Sequence, residues 1–535
     1  TMQWWDDLWL NEGFASWMEL KATDHFHPEW KVWLDALSAR EAAMEVDARA
    51  GTHPVIQPIR DVLQANAAFD TITYAKGRAV ISMLENYLGA DAFRDGIRRY
   101  VKTFAYRNAI SDDLWRSLDE GATVPVTAIA HDFTLQAGVP LIRVGFSADR
   151  LRLAQDVYVA DSSHRSGQSW HVPVIETPLT GNGEWSGIVS RGAPVTLPAP
   201  RPVVSIVSSG QAGYFRTLYY APLFSRLAGD FALLLPSDQL GLLNDSLALG
   251  LSGFEPIVDY ASLVRRAPVA MEPLVLKTLA VQLERLDHPY DGLPTQPQYR
   301  AFARSVLSPV MARIGWDARK GESPNVPLLR ESALEALGAV QDPFVLAQAR
   351  RRFQDYALRG NPLSADERRI VFSIVTENAD QATWNELLTL ARKAKSFLEK
   401  REFYEYLSRA RDAQLARRTL QLSLSDEVPV TTRPRILQAV AVWHPQMALA
   451  FLAAHLTEFN RAIEPDSRAQ FAPDIARDSN DPQTIVMLRA FAAAHIPPDA
   501  RSDETRAEAA IAYNVKVRRE RLPELDRWIA AHGYR

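Results

Sequence analysis

The densest chemical signal in the sequence is a carboxylate set among tryptophans. The run Thr1-Met2-Gln3-Trp4-Trp5-Asp6-Asp7-Leu8-Trp9-Leu10-Asn11-Glu12-Gly13-Phe14-Ala15 places Trp4, Trp5 and Trp9 just ahead of Glu12. Apolar residues recur at helical spacing from about Asp6 to Thr23. On that helix Glu12 shares a face with Leu8 and Trp9 before it, with Trp5 further back and with Ala15 after it. An ionisable group on an apolar face calls for a cation, a hydrogen-bond donor or a metal as partner. Two readings stand: a metal ligand or catalytic acid, and a salt-bridged Glu at the edge of the stripe. Glu19, two turns further along the same face, competes for the ligand role.

A second chemical group lies in Phe69-Asp70-Thr71-Ile72-Thr73-Tyr74-Ala75-Lys76-Gly77-Arg78-Ala79-Val80. Tyr74 stands at the mouth of a helix running to about Leu88, with Val80, Met83, Leu84 and Leu88 on one face. A neutral phenol with a pKa near ~10 is a fixed donor for a developing oxyanion. The other reading is a packing tyrosine with its hydroxyl in water. None of the eleven histidines lies in an H-E-x-x-H pattern. His53, before a proline in the loop 51–58, reads as structural. His444 and His455 lack the i, i+4 spacing of a zinc pair and read as ordinary helical histidines.

The elements that must position these groups fall into three regions. Residues 1–137 read as helical, with a helix around Glu29 to Val46 and two more between 93 and 137. Asp112-Asp113 reads as a cap before Leu114-Trp115. Residues 138–221 switch to alternating patterning: Leu141 to Phe146, Leu151-Arg152-Leu153, Val157-Tyr158-Val159, Val172-Pro173-Val174 and Val203 to Val207, punctuated by Gly, Ser and Pro. These short strands predict a small β-sandwich, with the Pro-rich run Ala193 to Pro202 as a loop. Residues 222–535 are helical throughout. Turns near Asp342-Pro343, Asn378-Asp380, Arg411-Asp412, His444-Pro445 and Asp481-Pro482 recur roughly every 32 to 38 residues, as in stacked helical hairpins of the HEAT or armadillo type.

A chain of 535 residues exceeds one core, so two to four domains are expected. A net charge of −4 and the lack of a basic run with interleaved aromatics exclude a nucleic-acid signature. No stretch of 18 or more apolar residues predicts a membrane span. The absence of cysteine excludes disulfide and thiolate chemistry. It leaves the compartment of a soluble chain open between cytoplasm and periplasm or exterior.

The Trp4 to Ala15 run resembles the segment that follows the zinc motif in the M1 (gluzincin) aminopeptidases. In that family H-E-x-x-H lies on one helix, and a later Glu in an N-E-G-F-A context completes the zinc site. The resemblance places that Glu at Glu12 and leaves Glu19 as a supporting or structural residue. Tyr74 falls on the Tyr of the family's Y-x-K-G segment, which donates to the tetrahedral intermediate. Phe133-Thr134-Leu135-Gln136-Ala137-Gly138-Val139-Pro140 resembles the W-T-x-Q-x-G-x-P junction, with Phe133 in place of the usual Trp. Gly213 to Tyr219 resembles G-Y-Y-R-V-x-Y, and Asp238 to Ser246 resembles the opening helix of the last domain.

The resemblance thus implies a multidomain, mainly α chain: the helical half of a thermolysin-like catalytic domain, a small β-sandwich, then a HEAT/armadillo-like superhelix. The domain order is similar to the puromycin-sensitive or tricorn-interacting four-domain type. It implies a zinc aminopeptidase acting on peptides with a free N-terminus, with one Zn(2+) per complete enzyme. On the family spacing the two His ligands and the catalytic Glu would precede Thr1, as would the G-x-M-E-N loop. The chain alone is therefore expected to be inactive. The rival reading is a non-catalytic helical-repeat scaffold that binds peptides or proteins.

Overall fold

The computed structural model describes residues 1–147, 150–161, 167–179, 183–197 and 204–534. Two compact units divide the chain, Thr1–Thr278 with Ser323–Asn325, and Leu279–Glu322 with Val326–Arg535. The helices of residues 221–278 thus pack with the first unit rather than with the array that follows. Among the described residues no helix is long and apolar enough to cross a membrane.

The first unit opens with helices α1 (Leu8–Phe26), α2 (Val32–Asp35), α3 (Leu37–Asp47), α4 (Val62–Ala67), α5 (Gly77–Leu88), α6 (Ala90–Thr103), α7 (Ser111–Asp119) and α8 (Val126–Thr134). The helix expected from Glu29 to Val46 is broken. Lys31 adopts a left-handed φ of 50°, separating a short 3-10 turn from α2, and α3 begins only at Leu37. Helix α7 starts at Ser111, earlier than Asp112-Asp113 implied. Asp113 instead reaches back to accept the Ile110 N–H at 3.0 Å, while Asp112 meets His131 at 2.7 Å.

The tryptophans near the start of the chain act as anchors. Trp9 is fully buried, stacks on Trp115 with ring centroids 5.4 Å apart, and donates its indole N–H to Ser111 Oγ at 2.9 Å. Ser111 in turn donates both its N–H and its hydroxyl to the buried Asp7 carboxylate. Trp4 donates its indole N–H to the Ile59 carbonyl at 2.9 Å, and Asp6 accepts the Ile59 N–H at 2.6 Å. These bonds fix the start of α1 to α7 on one side and to the loop ahead of α4 on the other.

Two glycines set how closely α1 and α5 approach. A Cβ on Gly13 would lie 3.1 Å from the Gly77 carbonyl carbon, and one on Gly77 would meet the Trp9 ring at 3.2 Å. Replacing Gly13 by leucine should therefore push the helices apart and cost about 1–3 kcal/mol of stability. Gly229→Ala, which faces open space, should be near neutral. Chemical denaturation of the three proteins side by side checks this, and a Gly13→Leu midpoint equal to wild type would contradict the close packing.

Among the described residues seven strands follow: β1 (Val139–Ser147), β2 (Arg150–Tyr158), β3 (Val172–Pro178), β4 (Trp185–Val189), β5 (Val195–Leu197), β6 (Ser205–Val207) and β7 (Arg216–Tyr219). They form one sheet ordered β5-β2-β1-β7 and a second ordered β4-β3-β6. All pairings are antiparallel except β1 with β7. The segment at 151–153 and residues 157 and 158 of the next belong to the single strand β2, which ends before Val159. Its polar middle residue Gln155 ties the sheets together, donating to the Trp170 and Val189 carbonyls. The Pro-rich run contains β5, and its residues 198–202 lie outside the described residues. Helices α9 (Ala221–Gly229), α10 (Pro236–Ser252) and α11 (Ile257–Arg266) come next, and α12 (Pro273–Asp287) crosses the unit boundary.

The second unit is helical. Each turn expected from the sequence precedes a helix start: Pro343–Arg359, Gln381–Lys393, Ala413–Ser423, Pro445–Ala454 and Gln483–His495. Asp342, Asp380 and Asp412 cap the first three by accepting backbone N–H groups. His444 Nε2 lies 3.2 Å from the Ala410 carbonyl and His455 packs on Phe451, both structural uses. Buried Asp287 pairs with Arg300 at 2.8 Å and with Arg411 at 3.4 Å; Arg411 also reaches Glu377 and lies over Trp443.

Candidate active site

Glu12 occupies the second turn of α1, at the border of its buried face. Leu8 and Trp9 are buried beside it, Trp5 and Ala15 are exposed, and Glu12 itself is partly buried. The α1 and α5 backbones meet at Gly13 and Gly77, which brings the residues flanking those glycines together. Tyr74 precedes Gly77 by three positions, on a single π-helical turn, Ile72–Lys76, that runs into α5. Such turns widen the helix and re-aim its side chains, and they recur at functional sites.

The Tyr74 phenol meets the Glu12 carboxylate. Burial raises the phenol pKa above its ordinary value, and the hydrogen bond to Glu12 and the Glu12 charge raise it further. Tyr74 is therefore a neutral donor at any physiological pH. Among the described residues no Lys or Arg forms an ion pair with Glu12. The carboxylate thus stands beside a donor, without a cation from the described residues.

Three sets of contacts hold the π-turn. Asp70 Oδ1 accepts the Ile72 and Thr73 N–H groups at 3.0 and 3.1 Å, and the Asp70 carbonyl accepts the Tyr74 N–H at 3.1 Å. His53 fixes Asp70 from outside: its Nε2 lies 2.6 Å from Asp70 Oδ2 and its Nδ1 lies 2.8 Å from the Pro54 carbonyl. Phe69 packs between Trp5 and Tyr74, at ring separations of 6.3 and 6.5 Å. From below, Lys76 is 0% exposed and bridges to Asp47 at 2.8 Å and to the Gln136 carbonyl at 3.3 Å. Asp47 also accepts from Thr52, the Gly138 N–H and the Tyr214 hydroxyl. One buried carboxylate therefore joins the π-turn, the junction before β1 and the segment ahead of β7.

Glu19 is exposed, and its charge acts on Arg78, not at the Glu12 position. Sequence reasoning pointed to Glu12 and Tyr74, which the fold brings together. It passed over Asp70, Asp47 and Lys76, and read His53 as structural without seeing its hold on Asp70. The Lys of the Y-x-K-G segment was the signal available for the Lys76 network.

Residues 206–510 match the family described as the ERAP1-like C-terminal domain, and residues 1–133 match the Peptidase family M1 domain. The chain belongs to the M1 peptidase family. Aminopeptidase M1-A of Oryza sativa subsp. japonica is 32% identical over 80% of this chain and 50% of its own length. Aminopeptidase M1 of Arabidopsis thaliana is 30% identical, over 80% of this chain and 51% of its own length. Tricorn protease-interacting factor F2 of Thermoplasma acidophilum is 30% identical over 66% of this chain and 43% of its own length. The chain spans about half the length of the curated relatives it matches.

M1 membership implies zinc. Among the described residues no group of three or more His, Cys, Asp or Glu side chains is placed to hold a metal. Glu12, carrying no cation and facing the phenol, fits as one carboxylate ligand of such a site.

Proposed function

We propose that this chain supplies one zinc ligand, Glu12, and one oxyanion donor, Tyr74, to a metallo-aminopeptidase that removes the N-terminal residue of peptides. The observation that carries the reading is the Glu12–Tyr74 pair, a carboxylate without a cation facing a phenol held neutral. The remaining ligands would be two histidines of an H-E-x-x-H helix, a motif these 535 residues do not contain. Bound zinc lowers the pKa of a water molecule and polarises the scissile carbonyl.

Glu12 contributes negative charge and an oxygen ligand, held at the edge of the apolar face by the buried Leu8 and Trp9. Tyr74 donates its phenolic hydrogen to the oxygen that becomes negative, and burial keeps that proton in place. Donation costs little reorganisation, because Asp70, His53 and Phe69 already fix the π-turn.

The test joins this chain to an H-E-x-x-H-bearing segment and follows turnover of a panel of aminoacyl arylamides. Free-amine substrates should be cleaved and their N-acetyl forms spared, in a zinc-dependent manner. Glu12→Gln should chiefly lower the zinc retained after dialysis, because a neutral amide is a poorer ligand than a carboxylate. Full zinc retention by Glu12→Gln would remove Glu12 from the ligand set. Absence of turnover from a zinc-loaded protein would favour the scaffold reading.

A further inference from the structure

A cavity of about 580 Å³ opens beside α1 and α5, and its walls include Lys21, Trp33, Arg40, Arg78, Ser82 and Glu85. Its charges are unequally spent. Lys21 pairs with Glu85, which also accepts the Trp17 indole N–H at 2.9 Å. Arg40 is fully engaged with Glu41, the Gln211 and Gly213 carbonyls and the Gln211 side chain. Arg78 is different. Its guanidinium makes one hydrogen bond, from Nη2 to the Ala36 carbonyl at 2.7 Å. Its charged neighbours are Arg40, which repels it, and exposed Glu19. Asp24 also lines the cavity but does not act on Arg78. A guanidinium has five N–H donors in a planar fork suited to a carboxylate, so four of the five are unspent here. Ser82, one turn along α5 from Arg78, presents its hydroxyl on the same helix face.

We propose that this cavity is a carboxylate site, with Arg78 as the bidentate donor and Ser82 as the accessory donor. The length of a peptide ligand follows from helix geometry. Arg78 and Ser82 lie four and eight residues beyond Tyr74, about 6 and 12 Å along the helix at 1.5 Å per residue. An extended chain covers those spans in about two to four residues. A short peptide with its amino end at the Glu12–Tyr74 pair would thus bring its carboxyl end between Arg78 and Ser82. This choice of ligand rests on the peptidase reading; the carboxylate site itself does not.

The test is binding to the 535-residue chain, read from broadening of the acetyl methyl NMR signal of N-acetyl tetraalanine. The free acid should bind at least ~10-fold more tightly than the C-terminal amide, the size of effect expected for a charge-assisted fork. Arg78→Gln should erase that difference, and Ser82→Ala should reduce it. Should Arg78→Gln lose its circular dichroism signature, Arg78→Lys keeps the charge, removes the fork and should weaken the acid. Acetate serves as the second ligand: binding as tight as the peptide acid assigns the site to small free carboxylates, and weaker binding assigns it to peptide ends. Equal binding of acid and amide, or unchanged acid binding by folded Arg78 and Ser82 variants, overturns the proposal. Because the peptide's amine is blocked, this result is independent of arylamide turnover, so the two readings fail separately.

Discussion

Replacing Tyr74 by phenylalanine is expected to lower kcat by about 10²–10³-fold with little change in KM, the loss typical of one oxyanion donor. The expectation applies to the proposed zinc-loaded peptidase, this chain joined to an H-E-x-x-H-bearing segment. Phenylalanine keeps the ring beside Phe69 and leaves the Tyr74 N–H bond to the Asp70 carbonyl in place. Only the hydroxyl is removed, so substrate binding before the reaction should change little. The phenol donates most strongly when the oxygen it faces is negative, which confines its effect to the transition state. A Tyr74→Phe enzyme with wild-type kcat would exclude the phenol from the reaction. A raised KM with unchanged kcat would make it a binding residue.

The second large effect concerns stability. Lys76→Met should destabilise the chain by about 3–5 kcal/mol, because it leaves a buried carboxylate without its cation. Asp47 is 1% exposed, and its remaining partners, Thr52, the Gly138 N–H and the Tyr214 hydroxyl, are neutral. The Tyr214 phenol cannot replace the ammonium by sharing its proton, since burial and the Asp47 charge both raise its pKa far above the ordinary value. The double variant Lys76→Met with Asp47→Asn should recover part of the loss, because no unpaired charge is then buried. Denaturant midpoints of the single and double variants decide the matter. A double variant no more stable than Lys76→Met would show that packing, and not the stranded charge, sets the cost.

Much of the candidate site was legible because its parts are encoded in short contiguous runs. The Trp-rich start and N-E-G-F-A marked Glu12, and Y-x-K-G marked Tyr74. Both runs contain a glycine that the helix crossing requires, Gly13 and Gly77, so positioning and chemistry are written in the same few letters. What escaped reading is long-range. Asp47 and Lys76 lie in different helices, and nothing local announces that they share a buried bond. The hold of His53 on Asp70 spans a loop and a turn in the same way.

Backbone irregularities were hidden as well. The π-turn at Ile72–Lys76 breaks the 3.6-residue period for one turn only, and the left-handed Lys31 splits a stretch whose apolar spacing reads as one helix. In β2 the polar stretch around Gln155 resembled a gap between two strands. Its side chain donates instead to the Val189 carbonyl of β4 in the neighbouring sheet and to the Trp170 carbonyl just ahead of β3. The helix starts of the second unit were readable because Asp and Pro at the first positions are local signals.

If the proposal holds, Glu12 and Tyr74 face one metal. X-ray diffraction at the zinc absorption edge, from crystals of this chain joined to an H-E-x-x-H-bearing segment and loaded with zinc, decides the point. The anomalous peak should lie within bonding distance of a Glu12 carboxylate oxygen, on the side facing the Tyr74 hydroxyl. A peak bound elsewhere, with Glu12 turned away from it or paired with an arginine, would contradict the account.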